Sequence, residues 1–388
     1  MSDKRIVLAI DTGFDGGKIC VNDNLINIPF MIQDISSDEE GYALRRIDDS
    51  FIRCIKDGKT YLLGEVARTF LLNDSRRENR RSDMEVFYTL DRFNMPQFEV
   101  ALDAFIAYGL YCYQDISAKD KDLETFKLSE INDWDIYVGV ALPHQFIDKY
   151  IPVVESYLKK EQNLKLIVGM DETGDIKYQI KETFYNSQVI CALINEAVDD
   201  DGNDREDSPY DNLPALILDG GYKTFGYFEF ARDESITNDA SNIDYAMKNI
   251  NDRVAAILSE KTGTAYTDYM VDELALKHEC VRYLNGDKVE SIDVAAEKEI
   301  ILEEISKKLI DHLNEKYRNL LDIKMILVAG GTGYAYYKYI KEYCEKERPY
   351  IKVVLACKDG FKGKECNPVY AVVCGLYKDM LMQLDVTA

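Results

Sequence analysis

The chain has 388 residues, 46% of them hydrophobic, and a formal net charge of −23 at neutral pH. That apolar content suffices for more than one core, so two or more domains are expected, and so negative a chain is excluded from general adhesion to nucleic acid or anionic lipid. No apolar run is long enough to span a bilayer or form a signal-peptide core, which points to the cytoplasm, and the nine cysteines, with no C-x-x-C pair, read as reduced thiols rather than a zinc or redox site.

Taken in order, Leu8 to Val21 reads as an apolar strand, an acidic glycine-rich turn and a second strand. Gly13, Gly16 and Gly17 allow backbone N–H groups to approach an anion, and Lys18 adds a point charge. Asp11, at the end of the first strand, would repel phosphates unless a cation lay between, and Mg²⁺ held through its waters suits that place. A single copy of this pattern is more often an ordinary hairpin.

Residues 24–95 mix short apolar pieces with charge and read as a small subdomain. Within it, Asp74 to Asp83 carries four arginines, either a solvated loop or a contact for an acidic neighbour such as a second copy of the chain. Pro96 opens a core helix containing Phe98, Leu102, Phe105 and Leu110. Asp135 to Leu142 reads as a strand closed by Pro143, followed by a helix, and the alternation indicates an α/β layer. Leu164–Val168 and Tyr178–Phe184 read as strands, and Ser187–Val198 as a helix with Gln188 near its start. Residues 199–211 are nearly devoid of apolar side chains and form an inter-domain loop, without the terminal glutamate of a calcium-binding EF-hand.

Leu216 to Phe228 then repeats the opening design, with Asp219, Gly220 and Gly221 at the turn. Two carboxylates and two glycine turns meet what a Mg²⁺-nucleotide clamp requires, provided that the two halves of the chain face each other. Ser241–Leu258 reads as an amphipathic helix whose Lys248 and Arg253 are either nucleotide contacts or solvated charges. Residues 265–280 read as a helix, Tyr283–Asp293 as a polar connection, and Ala295–Leu320 as a long core-facing helix. Met325 to Gly333 is a third strand-to-glycine turn, now leading into a helix over Tyr334–Lys346, where bare backbone admits a flat base or ribose. A strand over Ile351–Ala356 and a helix over Pro368–Leu384 complete the chain, with no separate amphipathic anchor after them.

The order and separation of these pieces resemble the actin, sugar-kinase and heat-shock-chaperone ATPase superfamily, and within it the plasmid-segregation actins of the ParM and Alp type, over nearly the whole chain. The resemblance implies an α/β actin-like ATPase fold, with two related domains flanking a nucleotide cleft and a smaller subdomain inserted in each. Its expected bounds are 1–198 plus 368–388, with an insert about 24–95, and 199–367, with an insert about 241–300. It implies that Asp11 and Asp219 hold Mg²⁺ through water and that Lys18 touches the phosphates. The amides of Thr12, Gly13 and Phe14 and of Gly220, Gly221 and Tyr222 would cradle them, with Asp15, Lys223 and Thr224 completing the two loops. Gly330, Gly331, Thr332 and Gly333 would line the adenosine. Tyr222 and Lys223 depart from the small or hydroxyl residues usual there, which makes Lys223 either a phosphate ligand or a surface charge. Gln188 matches the residue that positions the attacking water, although it is equally an ordinary helix-start glutamine. The implied function is an ATPase using ATP (or GTP) and Mg²⁺ that polymerises head to tail and moves plasmid DNA through a ParR-type adaptor, touching neither DNA nor membrane itself. A small-molecule kinase of the same fold is the alternative; it needs a carboxylate base that no residue clearly supplies.

Overall fold

The computed structural model describes residues 4–13, 16–36, 51–73, 90–121, 123–206, 208–233 and 235–387. Phe14, Asp15 and the arginine-rich stretch 74–83 lie outside the described residues. The chain divides into two compact units, one of Met1–Ile194, Asp200–Gly202 and Val372–Ala388, the other of Asn195–Asp199 and Asn203–Ala371.

In the first unit, Ile6 to Ile10 are apolar on both faces, the pattern of a strand covered from both sides. They form β1 (Arg5–Thr12), which pairs antiparallel with β2 (Gly17–Val21), and β2 pairs with β3 (Asn24–Ile28). Then follow β4 (Ile32–Asp34), β5 (Ile52–Lys56), β6 (Lys59–Leu63), α1 (Gly64–Asn73) and α2 (Pro96–Lys119). The unit continues with β7 (Asp135–Leu142), α3 (Ile147–Leu158), β8 (Gln162–Val168), β9 (Asp171–Glu172), β10 (Ile176–Tyr178), β11 (Glu182–Ser187) and α4 (Gln188–Ala197). The main sheet runs β11-β7-β1-β2-β3, with β1, β7 and β11 parallel. Helix α2 lies close on it: a methyl group at Gly109 would stand 3.2 Å from both Leu8 and Ile19, and one at Gly17 would stand 2.8 Å from the Phe105 ring.

Two expectations change here. Residues 24–28 join the main sheet, and the small sheet of the insert, ordered β10-β8-β5-β6-β4, takes strands from far downstream. Tyr178–Phe184 is two strands instead of one: Tyr178 pairs with Gln162 in the small sheet, whereas Glu182 pairs with Tyr137 in the main sheet. The apolar residues run through because both pieces bury side chains, so periodicity conceals the change of sheet.

In the second unit, β12 (Ala215–Gly220), β13 (Phe225–Phe230) and β14 (Ile236–Asn242) form an antiparallel meander. Next come α5 (Met247–Thr262), α6 (Asp268–Leu276), the hairpin β15 (Cys280–Asn285) and β16 (Lys288–Asp293), and α7 (Val294–Lys316). Then β17 (Met325–Ala329), α8 (Gly331–Glu347) and β18 (Lys352–Leu355) complete the core. The sheet order β14-β13-β12-β17-β18, with β12, β17 and β18 parallel, repeats that of the first unit's main sheet strand for strand. The α/β class and the internal relationship between the halves are thus explicit in the topology.

The expected helix over Ser241–Leu258 starts later, at Met247, because residues up to Asn242 complete the meander as β14. The expected polar connection at Tyr283–Asp293 is instead part of the β15–β16 hairpin, which turns on Gly286 and Asp287 with Gly286 at φ 61°. Its inward face is small, with Val281 and Ile292 buried while Leu284 and Val289 are exposed, which masks the strand alternation. Asp293 caps α7 by accepting from the Ala296 amide at 3.1 Å, which fixes the start of that helix. Among the described residues no helix is long and apolar enough to cross a membrane.

Candidate functional site

The first turn is set by register. Asp11 stands opposite Lys18 and Thr12 opposite Gly17 across the β1–β2 hairpin, and Asp11 is level with Ala141 on β7, which is itself level with Asn186 on β11. Asp11, Leu142 and Ser187 therefore lie near the carboxyl ends of adjacent parallel strands, the place where α/β sheets present ligand-binding groups. Gln188, the first residue of α4, donates from Nε2 to Asp11 Oδ1 at 2.8 Å. On the other side, Lys18 Nζ is 3.7 Å from Asp11 Oδ2, longer than a hydrogen bond, and Asp11 is 5% exposed. A methyl group at Gly13 would stand 2.8 Å from the Gly16 carbonyl oxygen and 2.7 Å from Lys18 Nζ, so the turn closes too tightly for a side chain at this position.

Behind the turn is a residue that sequence reasoning missed. Arg92, 2% exposed in the short helix Leu90–Asn94, donates from Nη2 to the Thr12 carbonyl oxygen at 2.5 Å. Its guanidinium lies 5.0 Å from the Phe93 ring centre and 6.0 Å from that of Phe30. Burial pulls this guanidinium down to about 10, against the opposing attraction of Asp11. The sequence signal was an arginine next to Phe93, four positions before the helix-opening Pro96. Two further contacts escaped notice at the strand ends: His144 Nδ1 lies 3.0 Å from Ser187 Oγ, and Asn186 donates to Asp379 Oδ2 at 2.8 Å.

In the second unit, Asp219 is level with Gly226 on β13 and Ala329 on β17, and the turn closes through Gly221 N–H to Thr224 O at 2.9 Å. The third turn differs from the expected loop, since Gly331, Thr332 and Gly333 already form the first turn of α8, with Gly330 at φ 77° preceding it. A methyl group at Gly220 would collide with the Gly333 backbone, and one at Gly330 with the Gly220 backbone. These glycines are thus required by the close approach of two turns within one unit, a packing reason beside the ligand reason inferred from sequence. Thr332 Oγ1 donates to Gly221 O at 2.7 Å and binds the same two turns together.

Tyr222 is buried, with its hydroxyl donating to Asp268 Oδ2 at 3.0 Å, so at this turn it offers main chain rather than side chain. Lys223 and Thr224 are half-buried. Lys248 is paired with Asp252 at 2.7 Å, and Arg253 with Glu304 at 2.6 Å, as solvated helix charges commonly are.

The donor set fits a hydrated divalent cation. Asp11 presents a fixed carboxylate with one oxygen held by Gln188, the other lies beyond hydrogen-bond length of Lys18, and Mg²⁺ takes few protein ligands while keeping its waters.

No protein-family model matches the chain, and no curated protein matches it in sequence. Solved structures do match. The actin-like protein Alp7A is 13% identical with a TM-score of 0.66, over 99% of this chain and 98% of that one. A subunit of a 15-stranded ParM filament from Clostridium botulinum is 18% identical with a TM-score of 0.61, over 98% and 99%. Bacillus thuringiensis ParM, solved with ADP, is 14% identical with a TM-score of 0.61, over 98% and 100%. The chain therefore has the actin-like fold, in the form that ParM and Alp proteins give it.

Proposed function

We propose that this protein is an actin-like ATPase that binds ATP, or GTP, with Mg²⁺, assembles head to tail into filaments, and couples their turnover to the movement of plasmid DNA through a DNA-binding adaptor of the ParR type. The observation that carries the enzymatic part is the Gln188–Asp11 hydrogen bond beside Lys18, at the carboxyl ends of parallel strands. A buried carboxylate, an ammonium over a glycine turn and an amide anchored to that carboxylate are what phosphoryl transfer to water asks for: positioning and charge, with little covalent chemistry.

In this reading Asp11 and Asp219 hold the hydrated metal. Lys18 neutralises the phosphates, and the amides around Thr12, Gly13 and Phe14 and around Gly220, Gly221 and Tyr222 receive them. Asp15, Lys223 and Thr224 complete the two phosphate loops, and Gly330 to Gly333 lie on the adenosine side. Bound Mg²⁺ supplies charge neutralisation of the β- and γ-phosphates. Gln188, held by Asp11, has its amide oxygen left to accept from water, so it orients the nucleophile without acting as a base. Filament formation is supported by the fold, which a solved ParM filament shares. Non-closing heterologous contacts are the geometry that filaments need. With a net charge of −23, DNA is held through a partner.

The test is single-turnover phosphate release with Mg²⁺. Gln188→Ala is expected to slow release by about 100-fold, the cost of losing a positioned reactant, while ATP affinity stays within about threefold. Release that is equally fast in the variant removes Gln188 from the reaction. Release that requires an added sugar or metabolite transfers the protein to the kinase class.

A further inference from the structure

Resting on the nucleotide reading above, we propose that Arg92 is a positioning residue for the first phosphate turn: its hydrogen bond to the Thr12 carbonyl aims the Gly13 amide at the anion. In a planar trans peptide the C=O and the following N–H point in opposite directions. Arg92 holds the Thr12 oxygen at 2.5 Å, so the Gly13 N–H leaves the same plane on the side away from Arg92. Around Gly13, the position that a methyl group would take is 2.7 Å from Lys18 Nζ, 2.8 Å from the Gly16 carbonyl oxygen and 3.9 Å from Asp11 Oδ2. The pairing of β1 with β7 ends at Asp11, so the parallel ladder does not extend to Thr12.

Arg92 is itself well fixed. Its short helix leads directly into α2 through the Met95 N–H to Arg92 O and Phe98 N–H to Met95 O bonds, at 3.0 and 2.9 Å. Phe93 stacks on Tyr150 of α3 at 4.4 Å between ring centres, and the Tyr157 hydroxyl donates to the Phe93 carbonyl at 3.1 Å. The choice of residue is informative. Burying a guanidinium among Phe30, Phe93 and the sheet is costly, and an apolar residue of similar volume would serve packing as well or better. A cation kept behind the turn, beside Asp11, strengthens the field felt by an anion in front of it, because charge in a poorly screened interior acts over a longer range.

The experiment uses the full chain and compares wild type with Arg92→Met, which keeps the apolar stem, and Arg92→Lys, which keeps the charge but not the fork. Affinities for Mg²⁺-ATP and for adenosine are measured by competition against a fluorescent nucleotide. ATP affinity is expected to fall at least about tenfold in Arg92→Met and about threefold in Arg92→Lys, as loss of one well-aimed charge-assisted contact would give, with adenosine affinity unchanged in both. A merely structural role would weaken both ligands together. ATP affinity equal to wild type in whichever of the two variants folds overturns the assignment, as does a parallel loss of adenosine. Wild-type protein that binds neither ligand overturns the nucleotide reading itself, a result distinct from either of these.

Discussion

Replacing Asp103 by alanine is expected to cost the first unit about 3–5 kcal/mol at pH 8, the usual consequence of leaving a buried charge without its partner. Asp103 is completely buried on α2 and bonds to Lys56 Nζ on β5, and Gln162 on β8 also faces that ammonium at 3.4 Å. The cluster ties the main-sheet helix to the small sheet of the insert. Replacing both partners with apolar residues, Lys56→Met with Asp103→Leu, is expected to be near neutral, because the desolvation of both ions is removed together. Burial pushes the Asp103 carboxyl up to about 7 against the pull of Lys56. The folded state then holds this proton more tightly than the unfolded chain, so the proton-linked part of the stability is fully present below the unfolded value of about 3.9 and is lost as pH rises through about 7. What Asp103 still supplies at pH 8 is the counter-charge of Lys56. The chain's single tryptophan, Trp134, lies in this unit's core, and its fluorescence during urea unfolding reads the effect directly. An Asp103→Ala midpoint equal to wild type would show that Lys56 finds water instead.

The second large effect is on turnover. Asp11→Ala is expected to lower Mg²⁺-dependent phosphate release by about 10²–10³-fold, the range seen when one preorganised charge is removed from a reacting centre. The substitution removes a metal-facing carboxylate, releases the Gln188 amide from its 2.8 Å anchor and leaves Lys18 and Arg92 without their shared counter-charge. Asp11→Asn keeps the shape and one acceptor for Gln188 but not the charge. It should therefore bind ATP better than the alanine variant at low Mg²⁺ and gain little from added metal. Phosphate release from Asp11→Ala within about threefold of wild type would exclude Asp11 from the metal site.

What was legible in the sequence was local. The three strand-to-glycine turns at Asp11, Asp219 and Gly330 stand out because a buried strand is a short apolar run and a turn must be built from small residues. Their order along the chain carried the resemblance, and the repeated sheet order in the two units is its structural counterpart. Less legible was whatever depends on long-range pairing. Nothing in Ile52–Lys56 announces that it pairs with Lys165–Val168, more than a hundred residues away, so the insert's sheet was not recognised as shared between the two stretches. The β15–β16 hairpin carried a Gly-Asp turn signal, but its outward Leu284 and Val289 blurred the alternation. Glycine chemistry was read in one direction only. Gly220 and Gly330 are bare at least partly because their backbones touch each other, a reason visible only after folding. Arg92 was hidden for the opposite cause: a charged residue is ordinarily assigned to the surface, and only the structure shows it behind the first turn.

The most direct measurement follows right-angle light scattering and phosphate release together after ATP and Mg²⁺ are added to the purified full chain, with Asp219→Ala alongside. A nucleotide-driven filament gives scattering that rises on ATP addition and falls as phosphate appears, with neither signal in the Asp219→Ala protein. Flat scattering across a broad range of protein concentration, with phosphate released only when a sugar or metabolite is supplied, would contradict it.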